Sequence, residues 1–170
     1  MTAARQERKS PHGRAVLAAP VLVLGLVLGL AATPGGAATT ERVVINRYTG
    51  VAIDGFDPVA YFVDAKPIRG RAEFELRSGG AAWRFQNEGN RSAFAAAPEV
   101  YMPQFGGYDP MSLARGAAAP GDPALWLIAR QRLYLFYSVE ERAAFARDPD
   151  AAIDAAERQW PKVRETLVRD

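Results

Sequence analysis

From Gly55 onward the chain is written twice. Gly55-Phe56-Asp57-Pro58 returns as Gly107-Tyr108-Asp109-Pro110, 52 residues further on. The spacing then becomes 51 and holds: Trp83 with Tyr134, Phe85 with Phe136, Asn87 with Ser138, Arg91 with Arg142, Phe94 with Phe145 and Pro98 with Pro149. One change of spacing across two units of about 50 residues is the mark of a single loop insertion within a duplicated unit. A fold for this chain must therefore place two like halves together, from about 55–105 and 107–158.

Each half predicts the same elements. Asp57-Pro58 and Asp109-Pro110 read as a helix N-cap with proline at the first helical position, followed by about two turns of helix. A hairpin comes next. In the first half Ala72, Phe74 and Leu76 alternate with Glu73, Glu75 and Arg77, the pattern of a half-buried strand, and Ser78-Gly79-Gly80 turns the chain into 82–86. In the second, 125–129 and 133–137 flank Arg130-Gln131-Arg132 and are apolar on both faces, which predicts central, covered strands. A helix closes each unit, capped by Asn87 in one and by Ser138, with Glu141 as a capping box, in the other. Ile153, Ala156, Trp160 and Val163 then form one stripe of a last helix over 150–168, where Pro161 is a possible bend. The expected class is α+β: a small antiparallel sheet from two pseudo-repeated hairpin–helix units, plus a C-terminal helix.

The N-terminus reads differently. Arg5, Arg8, Lys9 and Arg14 precede 18 uncharged residues (15–32), and small residues lead to Ala38. That is the layout of a signal peptide over 1–38, with Thr39 as the first mature residue and a periplasmic or secreted product. The alternative is retention in the inner membrane by residues 15–32, the only membrane contact expected. Residues 39–50 are a short lead, and 51–170 the domain. Beyond residue 38 remain 17 basic and 18 acidic residues, so the basic balance of the chain belongs to the leader and no nucleic-acid partner is expected. There is no cysteine, and the one histidine, His12, lies in the leader. Thiol chemistry, imidazole acid–base catalysis and Cys/His metal sites are excluded from the mature part.

The residues now in hand resemble the YHS-domain family. The resemblance rests on Gly55-Phe56-Asp57-Pro58-Val59-Ala60-Tyr61-Phe62, on Trp83, Phe85, Asn87, Asn90, Phe94, Pro98 and Tyr101 at family spacing, and on Gly106-Gly107-Tyr108, Leu133-Tyr134-Leu135 and Trp160-Pro161. It spans roughly 50–165. Metal-associated relatives carry cysteines at what are here Gln86 and Asn90, and exported relatives a cysteine where this chain has Asp109. With every such thiol missing, the family's metal association does not transfer. The resemblance implies a non-catalytic binding or accessory module with no metal and no cofactor.

Four residues are candidates for binding a small ligand: Asp57, Tyr61, Tyr108 and Asp109. The carboxylates suit a polar ligand, the rings an aromatic pocket. Their alternative roles are helix capping for the aspartates and core packing for the tyrosines. Two other functions compete: a protein–protein interaction module, requiring an exposed apolar patch, and an enzyme acting through Asp54, Asp57 and Asp109, requiring carboxylates that converge in a cleft. No catalytic residue is assigned.

Overall fold

A computed structural model describes residues 43–167. They belong to a compact unit running from Ala37 to Asp170. The expected leader and its cleavage point lie outside the described residues.

The duplication is visible in three dimensions. Each half opens on a short 3-10 turn, Ile53–Gly55 and Gln104–Gly107, in which Asp54 and Phe105 both adopt left-handed backbone angles (φ 51° and 54°). Helices α1 (Ala60–Val63) and α4 (Pro110–Ala114) follow. They are shorter than the two turns expected. Left-handed Ala65 ahead of Pro67 stops the first, and Gly116 at φ 78° stops the second.

The hairpins β1 (Arg71–Ser78) with β2 (Ala81–Phe85), and β3 (Asp122–Ala129) with β4 (Arg132–Phe136), match residue for residue at a spacing of 51. Both ladders are regular from the turn to Glu75↔Arg84 and Trp126↔Leu135. Both then break before Arg71 meets Phe85 and Asp122 meets Phe136. Both turns are two residues long with positive φ throughout: Gly79 and Gly80 in one, Arg130 and Gln131 in the other. That is the mirror-image turn whose twist suits a hairpin.

The hairpins remain two separate two-stranded sheets, not the single sheet expected. Residues 50–52 run along the free edge of β2, with Ala52 N–H donating to the Ala82 carbonyl at 2.8 Å and Ala82 N–H to that of Gly50 at 3.0 Å. The second hairpin is thus not central in a sheet, and β3 is only half covered, with Ile128 exposed. β4 is buried on both faces for another reason. Leu133 and Leu135 join Trp83 and Phe85 in the core of the first unit, while Tyr134 and Phe136 face Phe145 of their own unit.

Helices α2 (Glu88–Ala96) and α5 (Val139–Arg147) are nine residues each. Asn87 accepts from Asn90 N–H at 2.9 Å, and Ser138 from Glu141 N–H at 3.2 Å. The reciprocal half of the capping box is not made, because Glu141 turns its carboxylate to Arg115. Phe94 wedges between Trp83 and Phe85, at 5.1 Å from each ring centre; Phe145 sits between Tyr134 and Phe136, at 5.2 and 5.0 Å. Each trio of rings sits in the buried core of its unit.

The copies diverge after Pro98 and Pro149. Helix α3 (Pro98–Tyr101) ends after one turn, because Pro103 pushes Met102 into extended backbone. Helix α6 (Pro149–Leu167) continues for 19 residues, through Pro161, and buries Ile153, Ala156 and Val163. Residues 43–50, expected as a mere lead, belong to the domain: Val44 donates to Gly106 O at 2.7 Å and accepts from Ile53 N–H at 3.2 Å, tying the two 3-10 turns together. Among the described residues no helix is long and apolar enough to cross a membrane.

Candidate functional site

Asp57 and Asp109 are both fully buried. Each starts a helix. Asp109 accepts from Met111 N–H at 3.1 Å, Ser112 N–H at 3.3 Å and the Ser112 hydroxyl at 2.8 Å. Asp57 accepts from Val59 N–H at 2.8 Å and Ala60 N–H at 3.4 Å. Its second oxygen accepts from Gln86 N–H at 2.9 Å and Asn90 Nδ2 at 2.7 Å. Gln86 and Asn90, from the end of the hairpin and from α2, thus converge on one carboxylate. The aspartates share no hydrogen-bond partner, and Asp54 is exposed on its turn.

Burial raises the Asp109 carboxyl above the ordinary carboxylate range; the Ser112 and Met111 hydrogen bonds act the other way, and the Glu141 charge adds to the rise. A raised pKa in the folded state means that folding favours the protonated acid. Its contribution is fully present below the unfolded value of about 3.9 and is lost as pH rises through the folded value. Relative to Asp109→Asn, which keeps most of the cap, wild type should therefore lose stability as the pH rises from about 4 through the folded value. Asp109→Ala should cost about 1 kcal/mol at neutral pH. Thermal unfolding of the three forms across pH checks both. The opposite slope against the Asn form would show that the hydrogen bonds, not burial, dominate.

Tyr61 lies between the two units. It is 1% exposed, its hydroxyl donates to Pro123 O at 2.9 Å, and its ring meets Trp126 edge to face at 5.2 Å. Burial, with Asp122 and Asp57 nearby, lifts its phenol far above the ordinary range, so it stays neutral. Tyr108 is half-buried, its ring 6.2 Å from that of Trp160.

Beyond Trp160 lies a cleft of about 580 Å³. Its lining includes buried Trp83 from β2, Phe105 from the turn joining the repeats, and Trp160 from α6. Phe105 and Trp160 meet at 5.7 Å with planes inclined by 66°. Three charged side chains also line it: Glu99 of α3, Arg132 at the start of β4, and Glu157, one turn before Trp160. Glu157 and Trp160 stand on the part of α6 that has no counterpart in α3, so the cleft forms where the duplication breaks down. A smaller recess of about 290 Å³ is lined by Asp54, Arg69 and Arg84. Its guanidiniums are engaged, Arg69 with Asp54 O at 2.8 Å and Arg84 with Glu75 at 3.1 Å.

None of the four sequence candidates lines the cleft. Its charged residues come from three distant stretches, and no short motif joins them. The usable signal was Trp160, a large ring beside a proline late in an amphipathic helix. No protein-family model, curated protein or solved structure matches the chain. Among the described residues no group of three or more Asp, Glu, His or Cys side chains is arranged to hold a metal ion.

Proposed function

We propose that this chain is an exported, non-catalytic binding or accessory domain of the YHS type, and that its ligand occupies the cleft at Phe105 and Trp160. The cleft carries this reading. It is concave, has the size of a small-molecule site, and combines aromatic walls with a few polar groups. An enzyme working through carboxylates is less favoured, since Asp57 and Asp109 both hold helix starts. A protein-interaction role, through exposed side chains such as Tyr137 and Val139, is the second reading.

Export is supported by the basic head, apolar run and small-residue exit. The exported form should begin near Thr39 on N-terminal sequencing; an intact chain held in the membrane fraction would reject cleavage. For the cleft, a library of small fragments titrated into the labelled mature protein should move the Trp160 indole signal with at least one hit. Trp160→Ala should abolish the shifts that such a hit causes at Phe105. A library that leaves both residues unmoved would reject the cleft as the ligand site.

A further inference from the structure

We infer that the cleft takes a small zwitterion, an organic ammonium compound that also carries a carboxylate. This rests on the cleft being the ligand site, and it names the chemistry of what binds there.

The first observation is that the cleft's charges are unpaired. Several arginines elsewhere hold carboxylates: Arg130 those of Asp150 at 2.7 Å and Asp154 at 3.0 Å, Arg91 that of Glu88 at 2.7 Å, and Arg115 that of Glu141. Arg77, Arg142 and Arg158, like Arg132, make no ion pair among the described residues. What sets Arg132 apart is that it shares a cleft with two carboxylates and two rings. Arg132, Glu99 and Glu157 make no ion pair with any described residue, although all three line one cleft. The second observation is what stands with them. Phe105 and Trp160 form an inclined pair of rings at the same site, and aromatic faces attract ammonium groups through the ring quadrupole.

These features discriminate between ligand classes. A purely anionic ligand would suit Arg132 but would meet Glu99 and Glu157. A purely cationic one would leave the guanidinium unanswered. A neutral apolar ligand would cover the half-buried Arg132 and pair none of the charges, which is costly. A zwitterion answers all of them: the guanidinium grips its carboxylate through parallel N–H donors, and the rings and glutamates receive its ammonium group.

Three probes of one shape test this. Glycine betaine carries both charges. Choline lacks the carboxylate, and 3,3-dimethylbutanoate replaces the ammonium nitrogen by carbon. Each is titrated into the labelled mature protein while the Trp160 indole signal is followed. Betaine should bind about tenfold more tightly than either analogue. Arg132→Gln should bring betaine down to the level of choline and leave choline unchanged; Trp160→Leu should weaken both. If dimethylbutanoate binds as well as betaine, or choline does, the zwitterion is overturned and the cleft remains the site. The same holds if all three leave Trp160 unmoved while neutral fragments shift it. If no fragment of any class moves Trp160, both conclusions fall.

Discussion

Gly70→Ala is expected to destabilise the domain by about 3 kcal/mol, which in a domain this small is a large share of the total. A Cβ built at Gly70 lies 2.3 Å from the carbonyl carbon of Arg84, 2.4 Å from its oxygen and 2.5 Å from Phe85 N. All three atoms are backbone, so no side chain can rotate away. The neighbourhood is also pinned: Gly70 N–H donates to Gly55 O at 2.8 Å, and Arg71 pairs with Phe85 one residue on. Relief requires parting β1 from β2, beside the ring of Phe85 that packs on Phe94. Gly121 is its copy, with Leu135 Cβ at 2.5 Å and Gly107 O at 2.9 Å. Gly121→Ala should destabilise too, but less, because its contacts are longer: Leu135 Cβ, which moves only with its backbone, at 2.5 Å, and backbone atoms from 2.8 Å, against 2.3–2.5 Å at Gly70. Gly80→Ala is the control. Its Cβ would meet nothing within 4 Å, but its φ is 81°, so it isolates backbone strain, about 1 kcal/mol. Urea unfolding of the three variants gives the order. A Gly70→Ala protein no less stable than Gly80→Ala would mean that the strands part more easily than these distances allow.

The pair Gly70 and Gly121 marks where sequence reading stopped. Both glycines sit 51 apart and were open to view, but one glycine per repeat, with no turn partner, points to nothing by itself. The aromatic, proline and capping residues of the repeat were legible because several recur together, and their elements stand where their spacing put them. The matched ladder breaks were invisible, since a bulge depends on which strand residues pair and not on residue type. The second turn was placed at 130–132, but its conformation was hidden: Arg130 and Gln131 occupy the positive-φ positions that Gly79 and Gly80 fill in the first. In β4, apolar residues on both faces suggested a covered central strand. The burial is real, but its cause is two cores meeting across one strand. The cleft was the least legible feature, because its charged lining comes from α3, β4 and α6 and exists only once α6 outruns its repeat partner.

Asp57 and Asp109 occupy matched positions, and their substitutions should behave differently. Asp109 bonds only within its own cap, to Met111 and Ser112, so Asn can serve there. Asp57 has a second task. Its other oxygen receives Gln86 N–H from the end of the hairpin and the Asn90 amide from α2, so one carboxylate joins the start of α1 to the two elements that follow. Asp57→Ala removes the cap and leaves two donors without an acceptor beside a fully buried site. The cap is worth about 1 kcal/mol, and each orphaned donor costs about 1–3 kcal/mol where water cannot replace the lost acceptor. Both contacts are only part-buried, so the lower end of that range applies and a loss of roughly 3–4 kcal/mol follows. Asp57→Asn should be almost as damaging. It presents an NH2 group to two donors if its oxygen keeps the cap, and it loses the cap if the amide flips. Adding Asn90→Asp to Asp57→Asn restores one donor–acceptor pair, so the double variant should be more stable than Asp57→Asn alone. Unfolding midpoints of Asp57→Asn, Asp57→Ala and the double variant, set beside Asp109→Asn, test the asymmetry. Equal, small losses for the two Asn variants would show that Asp57 is only a helix cap, and that Gln86 and Asn90 find other acceptors.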